Sequence, residues 1–156
     1  MAAKLSAGIL AYKRNAVGEL EVLLVHPGGP FFKNKDAGVW SIPKGEYEEW
    51  EDALAAAKRE FEEETGNVLP DVECIRLKPV KVKSGKIISA WAAEADFDEP
   101  FIKSNLFEME WPPKSGKVQS FAETDKAEWF TLQEARHKIS AGQLDLIEQF
   151  EIMFKK

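Results

Sequence analysis

The chain is poor in the residues that build cross-links and soft-metal cages. One cysteine among 156 residues, Cys74, excludes an internal disulfide framework. It lies in an apolar-alternating segment and reads as a buried thiol rather than a nucleophile. The two histidines, His26 and His137, stand far apart and read as incidental, with His26, at a strand end, the one placed to reach a substrate. There are two tyrosines, and none follows Tyr47. No apolar run is long: Ala7-Gly8-Ile9-Leu10-Ala11-Tyr12 is too short for a signal peptide or a membrane span, which sets the expectation of a cytoplasmic protein. Basic excess is also missing. A net charge of −6 argues against a nucleic-acid backbone as partner. The remainder, 44% hydrophobic and 31% charged, is ordinary for a globular chain, and the length fits one domain over residues 1–156 with a real core.

What the chain does have is a concentration of carboxylates between Gly45 and Asn67, GEYEEWEDALAAAKREFEEETGN. Asp52 is placed to cap a helix running to about Thr65, and Gly66 is a natural stop. At about 100° per residue, Ala53, Leu54, Ala57 and Phe61 share one arc. Glu60, Glu63 and Glu64 share a second arc at its edge, while Glu62 points the opposite way. Arg59 precedes Glu63 by one turn, the spacing of a helical ion pair. Three carboxylates on one edge repel each other. A hard divalent cation resolves that repulsion, and Mg²⁺ is commonly held by a few carboxylates together with substrate phosphates. Zinc would need Cys or His ligands, and none lie here. The bland alternative is a solvated, salt-bridged helix.

Spacing decides between them. Gly45, five residues, Glu51, seven residues, then Arg59-Glu60-Phe61-Glu62-Glu63-Glu64-Thr65-Gly66 resembles the Nudix box, G-x5-E-x7-R-E-U-x-E-E-x-G-U. All seven fixed letters are present, a match expected by chance on the order of once in 10⁸ windows. Phe61 is aromatic where an aliphatic residue is usual, and Asn67 is polar where an apolar one is usual. The resemblance implies an α/β/α sandwich with a mixed sheet, and hydrolysis of a diphosphate linked to a nucleoside. It implies Glu60, Glu63 and Glu64 as metal ligands, Arg59 as the group orienting the acids, and Gly45, Glu51 and Gly66 as structural members. Mg²⁺ is the implied cofactor, with Mn²⁺ a possible substitute. The general base is left open among Glu63, Glu60 and Glu123.

The flanks are similar to the family as well. Residues 4–13 and 19–26 read as strands, the second buried on both faces. Residues 27–36, PGGPFFKNKD, form a loop whose Phe31 and Phe32 either line a base-binding wall or pack the loop down. Trp40-Ser41-Ile42-Pro43-Lys44-Gly45 resembles the segment that precedes the box in the family. Its Pro-Lys-Gly form resembles the branch that handles dinucleoside polyphosphates. Lys44 is then a phosphate contact, or else a solvated turn lysine. Residues 72–82 and 86–97 read as a hairpin about Ser84-Gly85, with Trp91 either stacking on a base or buried in the core. Phe107 to Trp111 is a short strand. Glu123 lies in a late loop before a Trp129-Phe130 strand, where many Nudix proteins carry an acidic residue. Thr131-Leu132-Gln133-Glu134 fits a capping box at the start of a final helical region divided at Gly142.

The expected substrate is a small nucleotide, bound without nucleic acid or membrane, with dinucleoside polyphosphates favoured by Pro43-Lys44-Gly45. The family's downstream marks for ADP-ribose and coenzyme A have no match, and neither does the downstream tyrosine that accompanies some dinucleoside polyphosphate hydrolases, since none follows Tyr47. The alternatives are an oxidised nucleoside triphosphate, a nucleotide sugar, a diphosphoinositol polyphosphate, or a non-catalytic nucleotide sensor. The last usually loses box acids, and this chain keeps all of them.

Overall fold

The computed structural model describes residues 3–154. Strand β1 (Leu5–Arg14) is the axis of the molecule. It pairs antiparallel with β2 (Leu20–Pro27) and β3 (Lys44–Tyr47), and parallel with β6 (Ile87–Glu94). Two short strands, β4 (Cys74–Arg76) and β5 (Val80–Lys81), run antiparallel to β6. β9 (Thr124–Thr131) closes the other side against β2. The sheet is therefore mixed, in the order β4-β6-β1-β2-β9. A separate two-stranded arm, β7 (Leu106–Glu110) with β8 (Val118–Ala122), leads into β9.

Helices cover both faces because the central strands are apolar on both. Ala7, Ile9 and Ala11 of β1 face α1 (Ala53–Thr65), with Leu23, Val25, Trp91 and Ala93 from neighbouring strands. Leu10 and Tyr12, with Val22, Leu24, Ile88 and Ala90, face α2 (Leu132–Lys138) and α3 (Leu144–Phe154). A one-residue period thus feeds two cores from one strand. This is the α/β/α sandwich, and the strand and helix expectations for residues 4–13, 19–26 and 52–66 hold to within a residue or two.

The helix ends follow local chemistry. The Asp52 carboxylate accepts from the Ala55 N–H at 2.9 Å, and Gly66 closes α1 in the left-handed region at φ 82°. Thr131 and Glu134 form the reciprocal capping box of α2, with bonds of 2.9 and 3.2 Å. A short 3₁₀ turn, Ala141–Gln143, separates α2 from α3.

Three readings are corrected. The predicted strand over 72–82 is broken, because Gln149 of α3 captures both backbone groups of Lys78 (2.7 and 3.0 Å) and Pro79 has no N–H to give. The late loop is a single-residue bend: β8 ends at Ala122 and β9 begins at Thr124. Lys44 opens strand β3 against Gly8 rather than sitting in a turn.

Phe61 is fully buried between α1 and the sheet and lies 5.5 Å from the Phe97 ring. Phe61→Ala is expected to destabilise the fold by about 3–5 kcal/mol in urea titrations. A loss below about 1 kcal/mol would mean that this face is not close-packed.

Candidate active site

The carboxylates are assembled by four segments. α1 supplies Glu60, Glu63 and Glu64; β3 crosses beside it; residues 102–105 clamp its end; and the β8–β9 bend brings Glu123. The α1–β3 crossing depends on Gly45, since a Cβ there would fall 1.8 Å from the Glu60 Oε1. Beside it, the Lys44 backbone N–H donates to the Glu64 Oε1 at 3.2 Å.

Arg59 organises the lead-in. Its guanidinium donates to Glu51 at 2.5 Å and to Glu60 at 3.3 Å, and its contact with Glu63, at 3.8 Å, is the longest of the three. Glu51 in turn accepts from the Glu48 N–H at 3.0 Å, which fixes the acidic loop before the helix. Glu51 thus ties the loop to Arg59, and Arg59 ties both to the helix.

At the far end of α1, the terminal carbonyls are taken up by a stretch with no legible sequence pattern. The Ile102 N–H donates to the Thr65 carbonyl at 2.7 Å, and the Asn105 N–H to that of Glu63 at 3.1 Å. The Asn105 carbonyl then accepts from the Glu123 N–H at 2.8 Å. One residue, Asn105, therefore links the Glu63 turn to Glu123. The polar Asn67 has a matching role, donating to the Glu99 and Pro100 carbonyls at 2.9 and 3.2 Å.

This crowding shows in the acidities. Burial, opposed by the Lys44 N–H bond and charge, pushes Glu64 up to about 8, with Glu60 and Glu123 adding repulsion. Burial and the Glu63 charge raise Glu60 to about 7, against the pull of Arg59. Glu123 is exposed at its bend, yet partial desolvation and then the Glu63 charge hold its carboxyl above the usual range. Burial lowers Lys44, with Glu64 the strongest opposing charge. The four glutamates thus sense one another. Among the described residues, no three Asp, Glu, His or Cys side chains close around a common point. Glu60 leans on Arg59, and Glu64 on Lys44. The donor set is nonetheless all hard carboxylate oxygen in mutual repulsion, which fits a divalent cation.

The remaining expected residues lie elsewhere. Trp91 is 7% exposed within the α1-facing core, its ring beneath the Arg76 guanidinium at 5.4 Å. Phe32 is 37% exposed beside Lys35, whereas its neighbour Phe31 meets the Trp111 ring edge-on at 5.3 Å. His26, expected to be incidental, is 1% exposed, and its Nδ1 lies 2.8 Å from Asp125 and its Nε2 2.6 Å from the Lys35 carbonyl. The 27–36 loop is thereby pinned to β9 through this ring. His26 and Asp125 are 99 positions apart, a pairing that only tertiary structure creates.

Residues 4–150 match the family model of the NUDIX domain. The chain belongs to this family and is a Nudix hydrolase, a class that generally uses divalent metal ions. No curated protein matches the sequence significantly. Among solved structures, a C. elegans Ap4A hydrolase in a binary complex shares 21% identity, with 96% of this chain and 98% of that chain covered and a TM-score of 0.67. The NUDIX domain of Shewanella oneidensis NrtR, complexed with ADP ribose, is 20% identical, with 98% and 89% covered and a TM-score of 0.66. A mutT/nudix family protein from Listeria innocua is 20% identical, with 99% and 96% covered and a TM-score of 0.62. At these identities the likeness is one of fold.

The raised carboxyls carry a sign for stability. In metal-free protein, Glu60 and Glu64 keep protons in the folded state at pH values where the unfolded chain has released them. Folding is therefore penalised increasingly as pH rises toward 7 and 8. The Tm in EDTA is expected to fall between about pH 5.5 and about pH 8.5, less steeply in Glu64→Gln. Equal slopes in the two proteins would contradict the burial of Glu64.

Proposed function

We propose that the chain, as one domain over residues 1–156, is a Mg²⁺-dependent diphosphohydrolase of nucleoside polyphosphates, with dinucleoside polyphosphates the favoured substrates. Mn²⁺ would substitute. The observation that carries this reading is that Asn105 holds the bend bearing Glu123 beside the turn of α1 that carries Glu60, Glu63 and Glu64. Pro43-Lys44-Gly45 favours the dinucleoside case, and the fold shared with an Ap4A hydrolase is compatible with it. The acidic net charge favours a small nucleotide over nucleic acid. Among the described residues no helix is long and apolar enough to cross a membrane, and a cytoplasmic location is the companion proposal.

Glu60, Glu63 and Glu64 would hold the ion. Bound Mg²⁺ would supply charge neutralisation at the phosphate oxygens and a more acidic water. The protein's own groups do the rest. Arg59 holds Glu51 and Glu60 in place and keeps the acidic loop against the helix. Lys44 approaches the phosphates from β3, where burial strengthens its field. The proton of the attacking water would pass to Glu63, Glu60 or Glu123, the last held beside the Glu63 turn by Asn105. Partial desolvation and the Glu63 charge raise the pKa of Glu123, which makes its carboxylate a stronger base than an ordinary glutamate. Gly45 keeps the space that the Glu60 carboxylate occupies.

Phosphate release should be measured over diadenosine polyphosphates, nucleoside triphosphates, ADP-ribose and nucleotide sugars, with and without Mg²⁺. Glu63→Gln and Glu64→Gln are each expected to lower Mg²⁺-dependent turnover by at least about 10²-fold while the fold survives. Arg59→Ala is expected to lower it by about tenfold or more. Near-wild-type rates in both glutamine variants would remove the ligand assignment. Nucleotide binding with no Mg²⁺-dependent product would favour the sensor.

A further inference from the structure

Beside the carboxylates lies a second concavity that neither the box nor its flanks announces. It opens between the 27–36 loop and the β7–β8 arm, and its volume is ≈ 620 Å³, within the usual range of small-molecule sites. Pro30, Trp111 and Phe121 supply its apolar walls, and Lys33, Gln119 and Asp125 its polar groups. Phe31 braces the outer wall by meeting Trp111 edge-on at 5.3 Å.

We propose that this cavity holds the nucleobase of the substrate, a purine carrying an exocyclic amine, stacked on Trp111 and read by Asp125. Three observations converge. The first is position: Ala122 lines the cavity, and the next residue, Glu123, is tied through Asn105 to the Glu63 turn of α1. A nucleotide whose base lies here therefore places its phosphates toward the glutamates. The second is rigidity. The Gly28 N–H donates to the Glu123 carbonyl at 2.9 Å, and His26 binds both the Lys35 carbonyl and Asp125. The loop is thus fixed to the β8–β9 bend and to β9 before any ligand arrives, which lowers the cost of ordering a wall on binding.

The third is the chemistry of Asp125. Its Oδ1 is 2.8 Å from the His26 Nδ1, and its Oδ2 has no protein partner among the described residues. An oriented carboxylate with a free oxygen accepts from an exocyclic amine, N6 of adenine or N2 of guanine, and hypoxanthine has neither. Gln119 donates its amide to the Trp111 carbonyl at 2.7 Å, which holds the arm at this wall. Lys33 adds a positive charge at the rim. Base recognition thereby falls to Trp111 and Asp125. The proposal rests on the phosphohydrolase reading only for the phosphate end of the ligand.

Nucleosides test the base site without phosphate or metal. Adenosine, guanosine and inosine would be titrated into ¹⁵N-labelled protein in EDTA, following the Trp111 indole N–H, assigned by its loss in Trp111→Phe. Adenosine or guanosine is expected to shift that resonance and to bind about tenfold more tightly than inosine. Asp125→Asn should close this gap. Trp111→Ala, truncated on the arm outside the two main cores, should weaken binding by about tenfold, and Trp111→Phe should retain most of it. Shifts of the loop amides report binding in those variants. The proposal is overturned by an unmoved Trp111 resonance, by equal affinity for all three nucleosides, or by unchanged affinity in Trp111→Ala. If Mg²⁺-dependent hydrolysis persists in that event, the base site is wrong and the activity stands. Nucleoside binding in a protein without turnover would support the base site and remove the hydrolase reading.

Discussion

Electrostatic repulsion held in place by backbone geometry is the constraint on which this molecule turns. Glu60 and Glu64 are kept close to other carboxylates and partly out of water, and both are raised well above an ordinary glutamate. Such an arrangement costs folding free energy and persists only when its surroundings over-determine it. Here they do. Gly45 lets β3 pass against Glu60, the Lys44 N–H takes one Glu64 oxygen, and Arg59 draws Glu51 and Glu60 together. Loss of any one of these leaves the carboxylates freer to swing out to solvent.

The scaffold follows from that need for rigidity. α1 is anchored along its length by Ala57 and Phe61 in one core, and its ends are fixed by Asp52 and Gly66. β3 is itself clamped to β1, the strand that feeds both cores. The site therefore sits at the crossing of a packed helix and a packed sheet. Glu123 is the exception. It stands on a bend whose position depends on Asn105 and on the Gly28 contact rather than on core packing.

Legibility in the sequence tracked the range of the interactions. Contacts made within one turn or one strand were readable: the Asp52 cap, the Gly66 stop, the Thr131 box, and the alternation that buries β1 on both faces. The carboxylate edge of α1 was readable because three positions on one helix fix their own geometry. Contacts across the chain were not. The break at Lys78 depends on Gln149, which lies 71 positions away. The pairing of His26 with Asp125 likewise has no local trace. Residues 100–105 show no periodicity because they bond to helix-end carbonyls instead of to a sheet. Arg59 pairs along the helix with Glu63 at 3.8 Å, as the spacing allows, but it also holds Glu51 at 2.5 Å, a partner in the preceding loop that the helical spacing does not show. The cavity was illegible for the same reason: Phe31 and Trp111 meet only through the fold.

The central claim is that the cation resolves a repulsion that the protein otherwise relieves by retaining protons. Its direct measurement is Mg²⁺ titration calorimetry near neutral pH in two buffers of different ionisation enthalpy. The account predicts that Mg²⁺ binding releases protons, seen as a buffer-dependent heat, and that the release is much reduced in Glu64→Gln. Binding whose heat is the same in both buffers would contradict it, as would a release unchanged in that variant.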